Sequence, residues 1–159
     1  MKNALSLIPV FVLCLTVAGR ANGQATPSHP DFSGTWSLDV EKTSEVQPGR
    51  KFYGQQTTIV QDASSLTTIS TAGVKFVYLL DGSEVNHHVA QDAPSVVYKS
   101  AWQGSRVVTT ISSRDNREPL ATIETRYLEG QWMVVEMVKK AATGQDVTTK
   151  LYFAKAIKK

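Results

Sequence analysis

Among the side chains of the kinds that move protons or grip a polar ligand, His87 and Glu136 stand out by their apolar surroundings. An imidazole titrates near neutral pH and both donates and accepts, so His87 suits proton transfer or a hydrogen bond to a ligand carbonyl or carboxylate. The alternative is a core histidine satisfied by Tyr98 or by a backbone carbonyl. Glu136 lies among Trp132, Val134 and Val138, where a carboxylate needs a partner, and Arg126 and Arg106 are the candidates. Such a pair either holds the polar end of a ligand or braces the structure. Tyr78, Tyr98, Tyr127 and Tyr152 add hydroxyls on apolar rings. His87 and His88 are adjacent, so on a strand they diverge, and no Cys, Asp or Glu has metal-site spacing around them. The sequence holds no Gly-x-Ser-x-Gly elbow, no phosphate-binding glycine loop and no His-Glu-x-x-His run. It therefore predicts no catalytic residues, no metal and no cofactor.

The elements that must position these side chains are short and numerous. Asp31-Phe32-Ser33-Gly34-Thr35-Trp36-Ser37-Leu38-Asp39 opens the series. If it is extended, Gly34, Trp36 and Leu38 share one face, and a large indole beside a glycine suits the plug of a barrel end. Further strand-like segments follow at 52–61, 65–71, 74–80, 83–90, 95–102, 105–113, 120–128, 131–139 and 147–154, which makes ten. Asp81-Gly82, Gln103-Gly104 and Glu129-Gly130 carry turn signals between neighbours. No amphipathic helix of ordinary length interrupts them. Strands joined by short turns run antiparallel, and ten of them in a meander leave two edges unless the sheet curls closed. The predicted fold is all-β, an up-and-down antiparallel barrel of about 8–10 strands. Residues 40–51 lack alternation and include Pro48-Gly49, so they read as a loop, with a helical turn near 41–45, that could cover one end as a lid.

Pairing the hairpins assigns faces. Across Asp81-Gly82, Tyr78 meets Val85, Phe76 meets His87 and Val74 meets Val89. Across Gln103-Gly104, Val96, Tyr98, Ser100 and Trp102 share a face with Val107, Thr109 and Ile111. Across Glu129-Gly130, Ile123, Thr125 and Tyr127 fall with Trp132, Val134 and Glu136, although a one-residue bulge there would reverse one strand. The candidate cavity is thus lined by Trp36, Phe76, Tyr78, His87, Tyr98, Trp102, Tyr127, Trp132 and Glu136.

The N-terminus reads as a targeting segment. Lys2 precedes a nearly continuous apolar run over residues 4–17, and small residues follow to Gly23, the pattern of a secretory signal peptide. The run is shorter than the roughly 20 residues of a membrane span. Cleavage after Ala21 or Gly23 fits. With the second, the organisation is signal peptide 1–23, flexible polar leader 24–30 and a single barrel domain 31–159. The predicted location is exported, periplasmic or secreted. Removing the segment takes Lys2 and Arg20 with it, leaving 15 basic against 14 acidic residues, a net of +1. No basic footprint for nucleic acid remains. Cys14, the sole cysteine, leaves as well, so no internal disulfide is possible and stability must come from the core.

The opening Phe-Ser-Gly-Thr-Trp-Ser-Leu-Asp of residues 32–39, followed by the meander, resembles the Gly-x-Trp start of calycins, the group of lipocalins and fatty-acid-binding proteins. It is closer still to small exported bacterial lipocalin-like proteins that begin Asp-Phe-Ser-Gly-Thr-Trp. Asp81-Gly82, Trp102-Gln103-Gly104 and Phe153-Ala154-Lys155 match their mid-chain hairpin, Trp-x-Gly turn and closing strand. The resemblance implies a binding barrel without naming its cargo. The chain departs from fatty-acid-binding proteins in lacking a clear helix pair after the first strand. Three functions follow in order of preference. The first is a non-catalytic barrel holding a small, largely hydrophobic molecule; the second is a structural or protein-binding module with a filled interior. The third is a small secreted enzyme using His87 and Glu136.

Overall fold

Ten alternating segments become ten strands in the computed structural model, which describes residues 29–43, 55–87, 95–113, 122–140 and 145–156. They are β1 (Gly34–Leu38), β2 (Gln56–Gln61), β3 (Ser65–Ser70), β4 (Lys75–Leu79), β5 (Asp81–His87), β6 (Val96–Gln103), β7 (Arg106–Ser113), β8 (Thr122–Glu129), β9 (Trp132–Lys139) and β10 (Val147–Lys155). All neighbours are antiparallel, in the order β4-β3-β2-β1-β10-β9-β8-β7-β6-β5. The single sheet curls into a nearly closed barrel in which β1 pairs with β10 and the two edges, β4 and β5, come together as a seam. Of the segment 40–51 read as a loop and candidate lid, Val40–Thr43 are described and 44–51 lie outside the described residues.

The turns at one end of the barrel are tight. Gly104-Ser105 joins β6 to β7 and Gly130-Gln131 joins β8 to β9, each one residue later than the sequence suggested. Both glycines have positive φ, 61° and 59°, which a two-residue hairpin loop demands. Asp81-Gly82 is a correction. It is no hairpin turn, and β4 and β5 share no ladder. Leu80 makes the turn, its N–H donating to Ser64 O at 2.9 Å. Asp81 then pairs with Ala101 and Glu84 with Lys99, so Gly82 (φ 87°) serves an irregularity inside β5. An Asp-Gly pair supports either use, and closing the sheet decides between them.

This same end is filled by aromatic rings. Trp36, Ile59, Leu66, Tyr78, Val107, Met133, Val135, Leu151 and Phe153 form the core on the inner face, with Phe32 buried beneath them. The Trp36 indole N–H donates to Phe32 O at 2.8 Å, tying strand β1 to the segment that precedes it. Phe32 stacks near Trp102, and the ring of His29 lies flat on Trp102 at 4.1 Å, its Nδ1–H donating to Gly104 O at 3.2 Å. His29, placed in the polar leader from sequence, is exposed and rests one ring face on Trp102. Gly34 is required where it stands: its φ is +126°, and a Cβ there would lie 2.9 Å from Lys155 Cε.

Candidate functional site

Ladder register separates the two faces of the wall. On β9, Met133, Val135 and Met137 face the core and pair with Leu128, Arg126 and Glu124 of β8. On β7, Val107 and Thr109 sit opposite Arg126 and Glu124. The inner face so defined changes character along the barrel axis. In the half nearest the tight turns Trp36, Ile59, Leu66, Tyr78, Val107, Met133, Val135, Leu151 and Phe153 are buried. In the other half Leu38, Phe76, His87, Tyr98, Ile111 and Met137 are only half-buried, and Val147 and Lys139 beyond them are exposed, while Glu124 opposite Met137 stays buried. Among the described residues the half-buried ones here point inward yet keep contact with solvent, and we call this end the mouth.

Four of the nine residues singled out from sequence meet at the seam. The Phe76 ring lies 5.2 Å from that of His87, which meets Tyr98 edge-on at 4.7 Å, and Tyr98 meets Tyr78 edge-on at 5.5 Å. The His87 Nε2–H donates to Val77 O at 3.1 Å, a cross-seam bond where the ladder is missing; a carbonyl only accepts, so Nε2 carries the proton. Of the two uses foreseen for His87, the backbone-carbonyl partner is realised, within the half-buried inner face. Phe76 and His87 meet as expected, through rings across the seam rather than as a ladder pair. Trp36 and Trp102 belong to the packed end.

The remaining three residues correct the sequence reading. Tyr127, Trp132 and Glu136 do share a face, as the hairpin predicted, but it is the outer one. Glu136 pairs with Lys150 at 3.0 Å, both partly in water, and neither Arg126 nor Arg106 is its partner. Lys42 Nζ sits over the Trp132 and Tyr152 rings at 5.4 and 4.7 Å, and the Arg106 guanidinium over Tyr127 at 4.4 Å. His87 and Glu136 are on opposite sides of the wall and form no common site. The β8–β9 hairpin is apolar on both faces, Met133, Val135 and Met137 against Trp132, Val134 and Val138, so parity alone could not say which face is inside.

Sequence reasoning named Arg126 as an interior partner but for Glu136, and passed over Glu124. Arg126 donates to Glu124 at 2.7 Å, with side-chain exposures of 4% and 1%. The guanidinium also lies over the Tyr78 ring at 5.1 Å, and the Ser100 and Thr109 hydroxyls bond each other at 2.9 Å. Glu124 and Arg126 alternate on β8, which placed them in appearance on a solvated face. The available signal was that Val107 and Thr109, correctly assigned inward, must face something on β8. The register between β7 and β8 hangs on the long connection 114–121, which no turn rule fixes. Burial raises the Tyr78 phenol far above its ordinary value, Glu124 adding to the shift and Arg126 opposing it, and Tyr98 is raised by burial and by Glu124.

That neutral phenol has a measurable consequence. An unfolded chain ionises Tyr78 near its ordinary value of 10.0, while the folded protein keeps the proton. The folded state then binds more protons, so this contribution is complete below pH 10 and is lost as pH rises above it. Tyr78→Phe is expected to remove about 1.4 kcal/mol per pH unit of alkaline destabilisation. Urea unfolding between pH 10 and 11.5 measures it, and an unchanged slope would put the phenol in water.

No protein-family model matches the sequence, and no curated protein sequence does. Solved structures do match. A secretory abundant heat soluble protein from Ramazzottius varieornatus aligns with TM-score 0.60 at 12% identity, over 82% of this chain and 98% of that one. The apo form of lipid binding protein 8 from Caenorhabditis elegans gives 0.56 at 14% identity, covering 79% and 95%. Zebrafish ileal bile acid-binding protein complexed with cholic acid gives 0.53 at 18% identity, covering 79% and 98%. The chain has the fold of the lipocalin-like binding barrels. At such identities the likeness establishes architecture, and function has to be argued from the site.

Proposed function

We propose that this chain is an exported, non-catalytic carrier that holds one small, largely hydrophobic molecule inside its barrel. The observation that carries the reading is the gradient on the inner face. One half is sealed, with Phe32 and Leu66 at 0% exposure, and the other is lined by half-buried Leu38, Phe76, Tyr98 and Met137. An apolar wall with a few convergent polar groups at its base is the usual make-up of a small-molecule site. Two of the similar structures are described as lipid-binding and bile-acid-binding, in keeping with this cargo. Export rests on the lysine-led apolar run at 4–17 and the small residues after it.

Native mass spectrometry of the processed protein, purified from the exported fraction of its own source, tests the proposal. A reproducible added mass that disappears on denaturation is expected. A bare mass across several preparations would instead move the function to the outer wall, where Tyr127, Trp132 and Tyr152 carry Arg106 and Lys42 on their ring faces.

A further inference from the structure

Ordering the charges along β8 from the mouth inward gives a chemical filter. Thr122 lies at the mouth end, Glu124 follows, Arg126 is deeper and Leu128 reaches the tight-turn end. A molecule entering the barrel meets the carboxylate before the guanidinium. The two are joined at 2.7 Å and together carry no net charge. Among the described strand residues the other formal charges with inward register are Lys139, exposed at the mouth rim, and Lys155 at the sealed end. Water screens the rim cation, so it offers little to a group held deeper in the wall. Among the described residues, the groups beside the ion pair include the hydroxyls of Ser100 and Thr109 and the Tyr78 and Tyr98 phenols. Hydroxyls turn to donate or accept as a neutral head requires.

We propose that the barrel selects an amphipathic molecule with an uncharged, hydrogen-bonding polar end, such as a long-chain alcohol, and discriminates against the anion of a long-chain acid. The inference rests on the carrier reading and names its ligand class. An incoming carboxylate would be desolvated beside Glu124, with the compensating charge of Arg126 already engaged; like charges brought together in a poorly solvated site repel strongly. An alkylammonium gains little, because Glu124 is neutralised by its partner. The neutral phenols at Tyr78 and Tyr98 fit the same picture, since both are held protonated partly by the Glu124 charge.

The test uses three 12-carbon probes that differ only in the head, 1-dodecanol, dodecanoate and dodecylammonium, each displacing the uncharged dye N-phenyl-1-naphthylamine from the processed protein at pH 7.5. Dodecanol is expected to displace the dye at a concentration roughly tenfold or more below either ion. Dodecanoate or dodecylammonium equal to or tighter than the alcohol would overturn the head-group inference and leave the carrier reading standing. No uptake of the dye or of any probe would overturn both. Glu124→Gln keeps the shape and removes the carboxylate charge that an incoming anion would meet, so it is expected to shift the alcohol-to-acid ratio toward dodecanoate by roughly tenfold. An unchanged ratio in a folded variant would overturn the proposal. If Glu124→Gln does not fold, the wild-type ratio decides alone.

Discussion

Arg126→Met is expected to destabilise the protein by about 3–5 kcal/mol, because it removes the guanidinium that pairs at 2.7 Å with a Glu124 carboxylate only 1% exposed. The double change Arg126→Met with Glu124→Leu is expected to return to within about 1 kcal/mol of the parent, since a buried ion pair gains little over apolar side chains of similar volume. The comparison is a double-mutant cycle read by urea unfolding, with β7 and β9 supplying the apolar neighbours Val107 and Val135. A single variant as stable as the double would mean that water reaches the pair. If the double variant folds as well as the parent, the ion pair is kept for a reason other than stability, and head-group selection at the inner face is the reason the geometry offers.

Trp36→Ala is the second large effect, expected to cost about 3–5 kcal/mol and on the order of 10–20 °C in Tm. Three losses coincide: a ring only 3% exposed, the bond from its indole N–H to Phe32 O at 2.8 Å, and the support beneath the Phe32–Trp102 stack. Trp36→Phe keeps most of the apolar volume but leaves the Phe32 carbonyl without the indole. About 1–2 kcal/mol is expected for it. Thermal unfolding followed by circular dichroism separates the two. A Trp36→Ala variant that melts within a few degrees of the parent would show that the sealed end does not depend on this ring.

Both predictions come from inner-face residues, yet only one of the two sites was legible in the sequence. Trp36 follows Gly34 by two positions in a segment that alternates, so its inward direction and its use as a plug were visible. Ser100 and Thr109 were placed on one face because a two-residue turn keeps strand parity whether it falls at 103–104, as read from the sequence, or at 104–105, as found. Glu124 was missed, and Arg126 was matched to Glu136 instead, because charged residues on alternate positions look solvated and nothing local ties β8 to β7. Glu136 was misplaced for the complementary reason: its neighbours are apolar, but they cover the outside of β9 beside Tyr127, Tyr152 and Lys42.

Strand number, antiparallel order and fold class were determined by the sequence itself, because period-two alternation and short glycine turns are local, and ten short strands in series leave few topologies. Gly34 and Trp36 belong to that local part as well. Only the tertiary structure decided where the barrel closes and which face of β8 and β9 is inside. The seam falls between β4 and β5 despite an Asp-Gly pair that reads as a hairpin, and His87 bonds Val77 O across it. The inside of β8 carries Glu124 and Arg126 because each neutralises the other within the wall, leaving Tyr127 free to face outward beneath Arg106. Such choices depend on partners far apart in the chain, and alternation, which repeats every two residues, holds no information about which of two apolar faces the closing sheet will turn inward.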